Sequence, residues 1–245
     1  MELAGRTVLV TGAGHRVGRA IAVSLGAQRM RVAVHYNSTA EGATETLREI
    51  EKRGGSGETF AADLTKPDQL SALVDSVVER FGALDVLINS AAVMLRTPLG
   101  ETKPEQWDNI MALNLRAPFL LSQAAAPHLR RSEGGGVIVN IADLAAFETW
   151  PGYLVHGLSK SGVVYLTRAL ARVLAPDIRV GAVAPGTVLL PENWSASDAQ
   201  HLIETTPLKR NGSPQDVSDA VLFILGADYF TGDTIIVDGG RHIRT

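Results

Sequence analysis

The chain of 245 residues contains no cysteine. That excludes disulfides and thiolate zinc sites and fits a reducing compartment. Excess charge is also lacking. Lys and Arg number 23 against 26 Asp and Glu, a net charge of −3, so the footprint of a general nucleic-acid binder is absent. The short basic cluster His128-Leu129-Arg130-Arg131 reads as a helix C-terminal turn complementing its dipole. No apolar run approaches the roughly 20 residues that span a bilayer. The opening MELAGRTVLV lacks a basic leader, a long apolar stretch and a cleavage site, so no signal peptide is expected. A cytoplasmic protein without nucleic-acid or membrane partners is the expectation. The histidines at 15, 35, 128, 156, 201 and 242 show no paired ligand spacing, so no metal is expected. A nucleophile elbow is missing too: residues 157–162 carry one residue too many for G-x-S-x-G and lie in a helical pattern.

What is present suits one large α/β domain over residues 1–245. Hydrophobic residues make up 45% and charged residues 20%, enough apolar surface to offset chain entropy. Strand-like runs occur at Thr7–Val10, Arg31–His35, Glu58–Ala62, Asp85–Asn89, Val137–Ile141, Arg179–Ala184 and Thr234–Val237. Helical patterns near Val17–Gln28, Ala40–Arg53, Pro67–Phe81, Pro104–Arg131, Tyr153–Leu174 and Pro214–Leu225 alternate with them. Thr39 is placed to cap the second helix and Gly54-Gly55 to end it. Continuous apolar strands mean burial on both faces. The repeated β-α-β order predicts a Rossmann-type doubly wound parallel sheet of about seven strands with helices on both faces. The longer irregular stretch 186–212 reads as a lid. Ligands on such sheets bind outside the carboxyl ends of the strands.

After the first strand comes Thr11-Gly12-Ala13-Gly14-His15-Arg16-Val17-Gly18. A glycine-rich turn opening a helix offers free N–H groups and the positive end of the helix dipole to a phosphate. The third glycine falls at 18, one place later than in G-x-G-x-x-G. The second strand ends His35-Tyr36-Asn37-Ser38, and no carboxylate stands between Met30 and Ala40. A carboxylate there would bond a free ribose 2′-OH and repel a 2′-phosphate. Arg16 could pair with that phosphate, and Asn37 and Ser38 could donate to it. NADP(H) is therefore expected over NAD(H).

These residues resemble the short-chain dehydrogenase/reductase family nearly end to end. The resemblance runs through Thr11 to Gly18, Asp63-Leu64, Asn89-Ser90-Ala91-Ala92, Asn114, Lys160, Pro185-Gly186-Thr187 and Asp238-Gly239-Gly240. It implies coenzyme binding by Gly12, His15, Arg16, Val17, Tyr36, Asn37, Ser38, Asp63, Leu64, Asn89, Ser90, Ala91, Lys160, Pro185, Gly186 and Val188. It also implies catalysis by Asn114, Lys160 and their neighbours, and a homotetramer built through the helices carrying these two residues.

The family's active site has a Tyr four residues before the Lys and a Ser some thirteen earlier. Here His156 and Asp143 occupy those positions. Residues i and i+4 share a helix face, so His156 and Lys160 can enter one site. Tyr153 lies three positions earlier, roughly 60° around such a helix. Asp in place of Ser resembles the pteridine reductases, as do Arg16, His35-Tyr36, Tyr153, Gly186 and Val217-Ser218-Asp219; Met94 departs from them, standing where an aromatic ring would stack on the pterin. The expected activity is NADPH-dependent reduction of a small-molecule carbonyl or pteridine-type substrate by hydride transfer. An imidazolium, with a usual pKa of about 6.5, is a competent proton donor. Lys160 would disfavour its charge and Asp143 would favour it. Alternatives are a non-catalytic NADP(H)-binding homologue and a 3-oxoacyl-thioester reductase. Met94, Leu144, Phe147, Trp150, Tyr153, Leu189, Leu190 and Trp194 are the candidate substrate wall.

Overall fold

Strands β1 (Thr7–Val10), β2 (Arg31–Tyr36), β3 (Ser56–Ala61), β4 (Val86–Asn89), β5 (Gly136–Ile141), β6 (Ile178–Pro185) and β7 (Thr234–Val237) form one sheet in the computed structural model, which describes residues 1–190 and 195–243. Their order is β3-β2-β1-β4-β5-β6-β7 and every pairing is parallel. The helices among the described residues are α1 (Arg16–Ala27), α2 (Ala40–Lys52), α3 (Pro67–Phe81), α4 (Pro104–Met111), α5 (Ala117–Leu129), α6 (Leu154–Leu174), α7 (Ala196–Thr205) and α8 (Pro214–Gly226).

Alternation along each strand divides the core between two faces. Val8 and Val10 of β1 join Val32, Val34, Ile21, Leu25, Val221 and Ile224 beneath α1 and α8. Leu9, between them, joins Leu87, Ile138, Val180, Leu73, Val77 and Leu121 beneath α3 and α5. Each such side chain, fully buried, contributes about 1.5–3 kcal/mol. Burial on both faces is what the uninterrupted apolar runs require. The order reverses between β1 and β4, so the loops leaving these two strands flank a crevice at the switch point.

Strand and helix boundaries shift by one or two residues from the sequence expectation, as fraying and capping allow. Three differences are larger. The single helix expected over Pro104–Arg131 is instead α4, a π-helical turn at Ala112–Arg116, and α5. Pro118 has no N–H to give to the carbonyl four residues earlier, that of Asn114, and its ring would crowd that oxygen; a widened turn relieves both. The stretch 186–212 is not irregular throughout, because α7 lies within it. The Ser195 side chain accepts from the Asp198 N–H, and the Asp198 carboxylate accepts from the Ser195 N–H. This capping box starts a helix that apolar periodicity alone did not reveal. Thr39 stands at the N-cap of α2, yet its side chain makes no capping bond. Trp194 lies outside the described residues, as does the end of the tail after residue 243.

Candidate functional site

The turn after β1 is closely packed. Gly12 has φ +65°, in the left-handed region, and a Cβ there would fall 2.9 Å from the Ala91 Cα. A Cβ on Gly18 would meet the Gly12 carbonyl oxygen at 2.3 Å. Only glycine permits these approaches. Thr11 ties the turn to the loop after β4: its Oγ1 accepts from the N–H groups of Ser90 at 2.9 Å and Ala91 at 3.0 Å.

The N–H groups of Gly12 and Ala13 are both used inside the protein. The start of the turn is thus committed to the sheet, and only its later N–H groups can face a phosphate. The N–H groups of Gly14, His15, Arg16, Val17 and Gly18 have no hydrogen-bond partner among the described residues. No side chain caps α1 and no acidic residue stands in its first turn. Arg16 has φ +52°, a conformation costing a non-glycine residue about 1–2 kcal/mol. Successive N–H groups around such a residue form a concave anion cradle. The Arg16 guanidinium is exposed and without a partner among the described residues. Asn37 and Ser38 are exposed beyond β2, and Tyr36 is half-buried at its end. These groups fit the phosphates of a dinucleotide coenzyme.

Around this cleft, Asp63 accepts from Thr65 N–H at 2.9 Å and Thr65 Oγ1 at 2.7 Å. The Thr65 bonds hold its carboxyl below the usual range. Leu64 and Val188 are buried in the core, so contact with a ligand there falls to backbone and to Asp63. Asn89 is buried and its amide donates to Asn140 Oδ1 at 2.8 Å. Pro185 ends β6, and a Cβ on Gly186 would come within 2.7 Å of the Asp238 side chain.

Across the switch point the structure brings Asn114, Asp143, His156 and Lys160 together. Asn114, in the π turn, grips the loop after β4 with both ends of its amide. Its Oδ1 accepts from Val93 N–H at 2.8 Å and its Nδ2 donates to Val93 O at 2.9 Å. Both bonds reach a partner 21 residues away in sequence. The Nδ2 also donates to Ser159 Oγ at 3.1 Å.

His156 is 2% exposed. Its Nδ1 lies 3.3 Å from Val93 O and 3.4 Å from Asn114 Nδ2. That amide has two hydrogens and gives them to Val93 O and Ser159 Oγ at shorter range, so Nδ1 donates to Val93 O and holds the proton of the neutral ring. Its Nε2 is buried without a hydrogen-bond partner and lies 3.7 Å from Asp143 Oδ2. That distance is too long for a hydrogen bond and short enough for an ion pair with imidazolium. The other carboxylate oxygen, Oδ1, caps the short 3₁₀ turn Leu144–Ala146 through Ala145 N–H at 2.8 Å. Asp143 thus has both a capping role and a face toward His156.

Lys160 is 4% exposed, and its Nζ donates to Ile141 O at 2.7 Å. Burial lowers its pKa to about 8, while the negative Asp143 acts in the opposite direction. His35, buried at the end of β2, is pushed down to about 4 by desolvation, against a raising contribution from its bond to Ala62. The site therefore holds a neutral imidazole at position 35 at neutral pH.

The candidate substrate wall is only partly assembled. Met94, Phe147, Trp150, Tyr153, Leu189 and Leu190 are at least partly exposed, whereas Leu144 is fully buried and cannot line a cavity. Tyr153 precedes α6 as its N-cap, so the helical angle expected from its spacing does not apply. Instead its backbone bridges to Thr97, and its ring meets Trp150 edge-on at 6.5 Å between centroids. Val93, Ser159 and Ile141 were not singled out in the sequence. They act through backbone groups or a common helix serine and carry no side-chain signature.

No group of His, Asp and Glu that could hold a metal occurs among the described residues, and no helix there is long and apolar enough to cross a membrane. A family model described as enoyl-(acyl carrier protein) reductase matches residues 12–242. A 3beta-hydroxysteroid dehydrogenase of Eggerthella lenta is 35% identical over 98% of this chain and 94% of its own length. A 3-oxoacyl-[acyl-carrier-protein] reductase of Staphylococcus aureus is 34% identical over 97% of this chain and 98% of its own length. The crystal structure of a dehydrogenase/reductase from Sinorhizobium meliloti superposes with a TM-score of 0.91 at 34% identity, covering 98% of this chain and 97% of that one. With its seven-stranded parallel sheet and this end-to-end similarity, the chain belongs to the short-chain dehydrogenase/reductase family of oxidoreductases.

Proposed function

We propose that the protein is an NADPH-dependent reductase of a carbonyl or pteridine-type substrate, with His156 as proton donor. The observation that carries this reading is the buried, unpartnered Nε2 of His156, facing Asp143 Oδ2 beside Lys160. Bound NADPH supplies a hydride. The N–H groups from Gly14 to Gly18 hold its phosphate, while Arg16, Asn37 and Ser38 receive the 2′-phosphate. Asp63, Asn89, Ser90, Ala91, Pro185, Gly186 and the backbone at Val188 line the rest of the coenzyme cleft.

Val93 O keeps the Nδ1 proton in place, so the mobile proton belongs to Nε2. Asp143 stabilises the imidazolium from which Nε2 gives its proton to the substrate oxygen or nitrogen. Lys160 adds positive charge next to the developing anion. Asn114 holds the Val93 loop and thereby the ring. The stretch 186–212, with α7, serves as the lid. The exposed Met94 favours a flexible apolar contact with the substrate rather than aromatic stacking.

The test mixes purified protein, NADPH and a panel of diketones, quinones, dihydropteridines and acetoacetyl thioesters, and follows oxidation of the coenzyme. Turnover of a panel member supports the reading and identifies its class; turnover confined to the thioesters favours the 3-oxoacyl reductase. Binding without turnover, with activity appearing in His156→Tyr, would establish the non-catalytic homologue instead.

The coenzyme preference has a separate test. Arg16→Ala should weaken NADPH about 10–100-fold through the lost charge-assisted bonds and leave NADH nearly unchanged. Equal weakening of the two in titration calorimetry would remove the 2′-phosphate assignment. Homotetramer assembly belongs to the same proposal, supported by exposed Phe119 on α5 and exposed Leu158 and Tyr165 on α6. Light scattering should give four copies, and a charged Tyr165→Glu should shift the mass downward.

A further inference from the structure

The phosphate turn is fastened to the sheet at one residue. Gly12 N–H donates to Nδ1 of His35 at 3.0 Å, and Ala13 N–H donates to the His35 carbonyl at 2.9 Å. The other ring nitrogen, Nε2, lies 3.1 Å from the carbonyl of Ala62. A donor at Nδ1 and an acceptor at Nε2 allow one arrangement, a neutral ring with its proton on Nε2. The ring is 2% exposed, so water does not compete for these bonds. Position 35 therefore joins the turn after β1, the end of β2 and the loop after β3 that carries Asp63.

Gly12 cannot settle elsewhere without moving its neighbours. Its Cα side abuts Ala91 and its carbonyl abuts Gly18. A shift of the Gly12 peptide is therefore passed to the start of α1, at and just before which the five free N–H groups lie.

We propose that His35 is a positioning residue for the coenzyme: ring and carbonyl together orient the Gly12 and Ala13 peptides, so that the N–H groups from Gly14 to Gly18 converge before a phosphate arrives. The inference rests on the NADPH reading above. Preorganisation of this kind raises affinity by removing the ordering cost at binding. It leaves the proton chemistry alone, because His35 stands on β2 and His156 on α6, on the other side of the switch point. The carbonyl contact is available to any residue at this position. The ring contact needs an acceptor where Nδ1 stands. Asn can place its Oδ1 there; Leu cannot.

The experiment compares His35→Leu and His35→Asn in the full chain. It measures dissociation constants for NADPH and for 2′-phospho-ADP-ribose, with kcat at saturating coenzyme for whichever panel substrate turns over. His35→Leu is expected to weaken both ligands about tenfold or more, and His35→Asn by less than about threefold, with kcat within about twofold in each. Unchanged binding by the Leu variant, an equal loss in both variants, or a fall in kcat at constant affinity would overturn the proposal. Should the Leu variant fail to fold, ¹⁵N NMR of the wild-type ring decides: a protonated Nδ1 refutes the anchor, and an acceptor Nδ1 coupled to Gly12 N–H supports it. Wild-type protein that binds neither NADPH nor NADH defeats the coenzyme reading itself; binding that His35→Leu leaves intact defeats this inference alone.

Discussion

Replacing His156 with alanine should lower kcat by about 10²–10⁴-fold, the usual contribution of a well-placed general acid. NADPH affinity should change little, because the groups assigned to the phosphates lie in the turn after β1. The nitrogen free to exchange a proton decides the outcome. Val93 O takes the Nδ1 proton, and Nε2 is the buried ring atom left without a bond. Asp143 stands 3.7 Å from that atom and favours the charged ring from which a proton leaves. Asp143→Asn keeps an oxygen to accept the Ala145 N–H and removes only the charge. It should lower kcat while leaving NADPH affinity nearly unchanged. Steady-state rates and NADPH titrations for the three proteins check this. An unchanged kcat in His156→Ala would place the proton donor elsewhere, with Tyr153 the first residue to examine.

Lys160→Met is expected to make the protein more stable and nearly inactive. The ammonium is buried with one carbonyl partner, and burial lowers its pKa from 10.5 to about 8. Such a displacement corresponds to about 3 kcal/mol of penalty on the charged form. The lost bond to Ile141 O offsets about 1 kcal/mol of the gain, so a net stabilisation of about 2 kcal/mol is expected near neutral pH. The direction with pH is defined. Below about 8 the lysine is charged in both folded and unfolded chains, and the penalty is complete. Between about 8 and 10.5 the folded protein releases the proton while the unfolded chain retains it, so wild-type stability recovers. The gap between variant and wild type should be widest below pH 8 and shrink above it. Urea denaturation at several pH values measures it. Turnover should drop by about 10²-fold or more, because a fixed charge beside the reacting centre is lost. A variant less stable than wild type at pH 7 would mean that the Ile141 bond and the Asp143 charge outweigh desolvation.

Much of the fold was legible in the linear chain. Parallel strands buried on both faces announce themselves as short runs such as VLV and VIVNI, and the glycine-rich turn follows the first of them directly. The nearness of His156 and Lys160 was legible as well, since i and i+4 on a helix share a face whatever surrounds them. Other features were not. The π turn at Asn114 follows from Pro118, a local cause whose outcome depends on packing. The capping box of α7 was written as Ser195 and Asp198 and escaped notice because the helix buries little apolar surface; Leu202 is its buried residue. Leu64, Leu144 and Val188 follow strand ends, where ligands bind, yet their side chains turn into the core.

Read alone, the chain specifies the order of its elements, the glycines that allow the first turn, and the want of a carboxylate after the second strand. These are local properties, set by residues adjacent or one helical turn apart. Tertiary folding decides which N–H groups remain free, which nitrogen of each buried histidine holds its proton, and how far Lys160 is withdrawn from water. Those properties come from partners far off in the sequence: 23 residues from His35 to Gly12, 27 to Ala62 and 63 from His156 to Val93. Hydrogen bonds and desolvation act over a few ångströms of space, and nothing in the spacing of residues along the chain reports such distances until the sheet has formed.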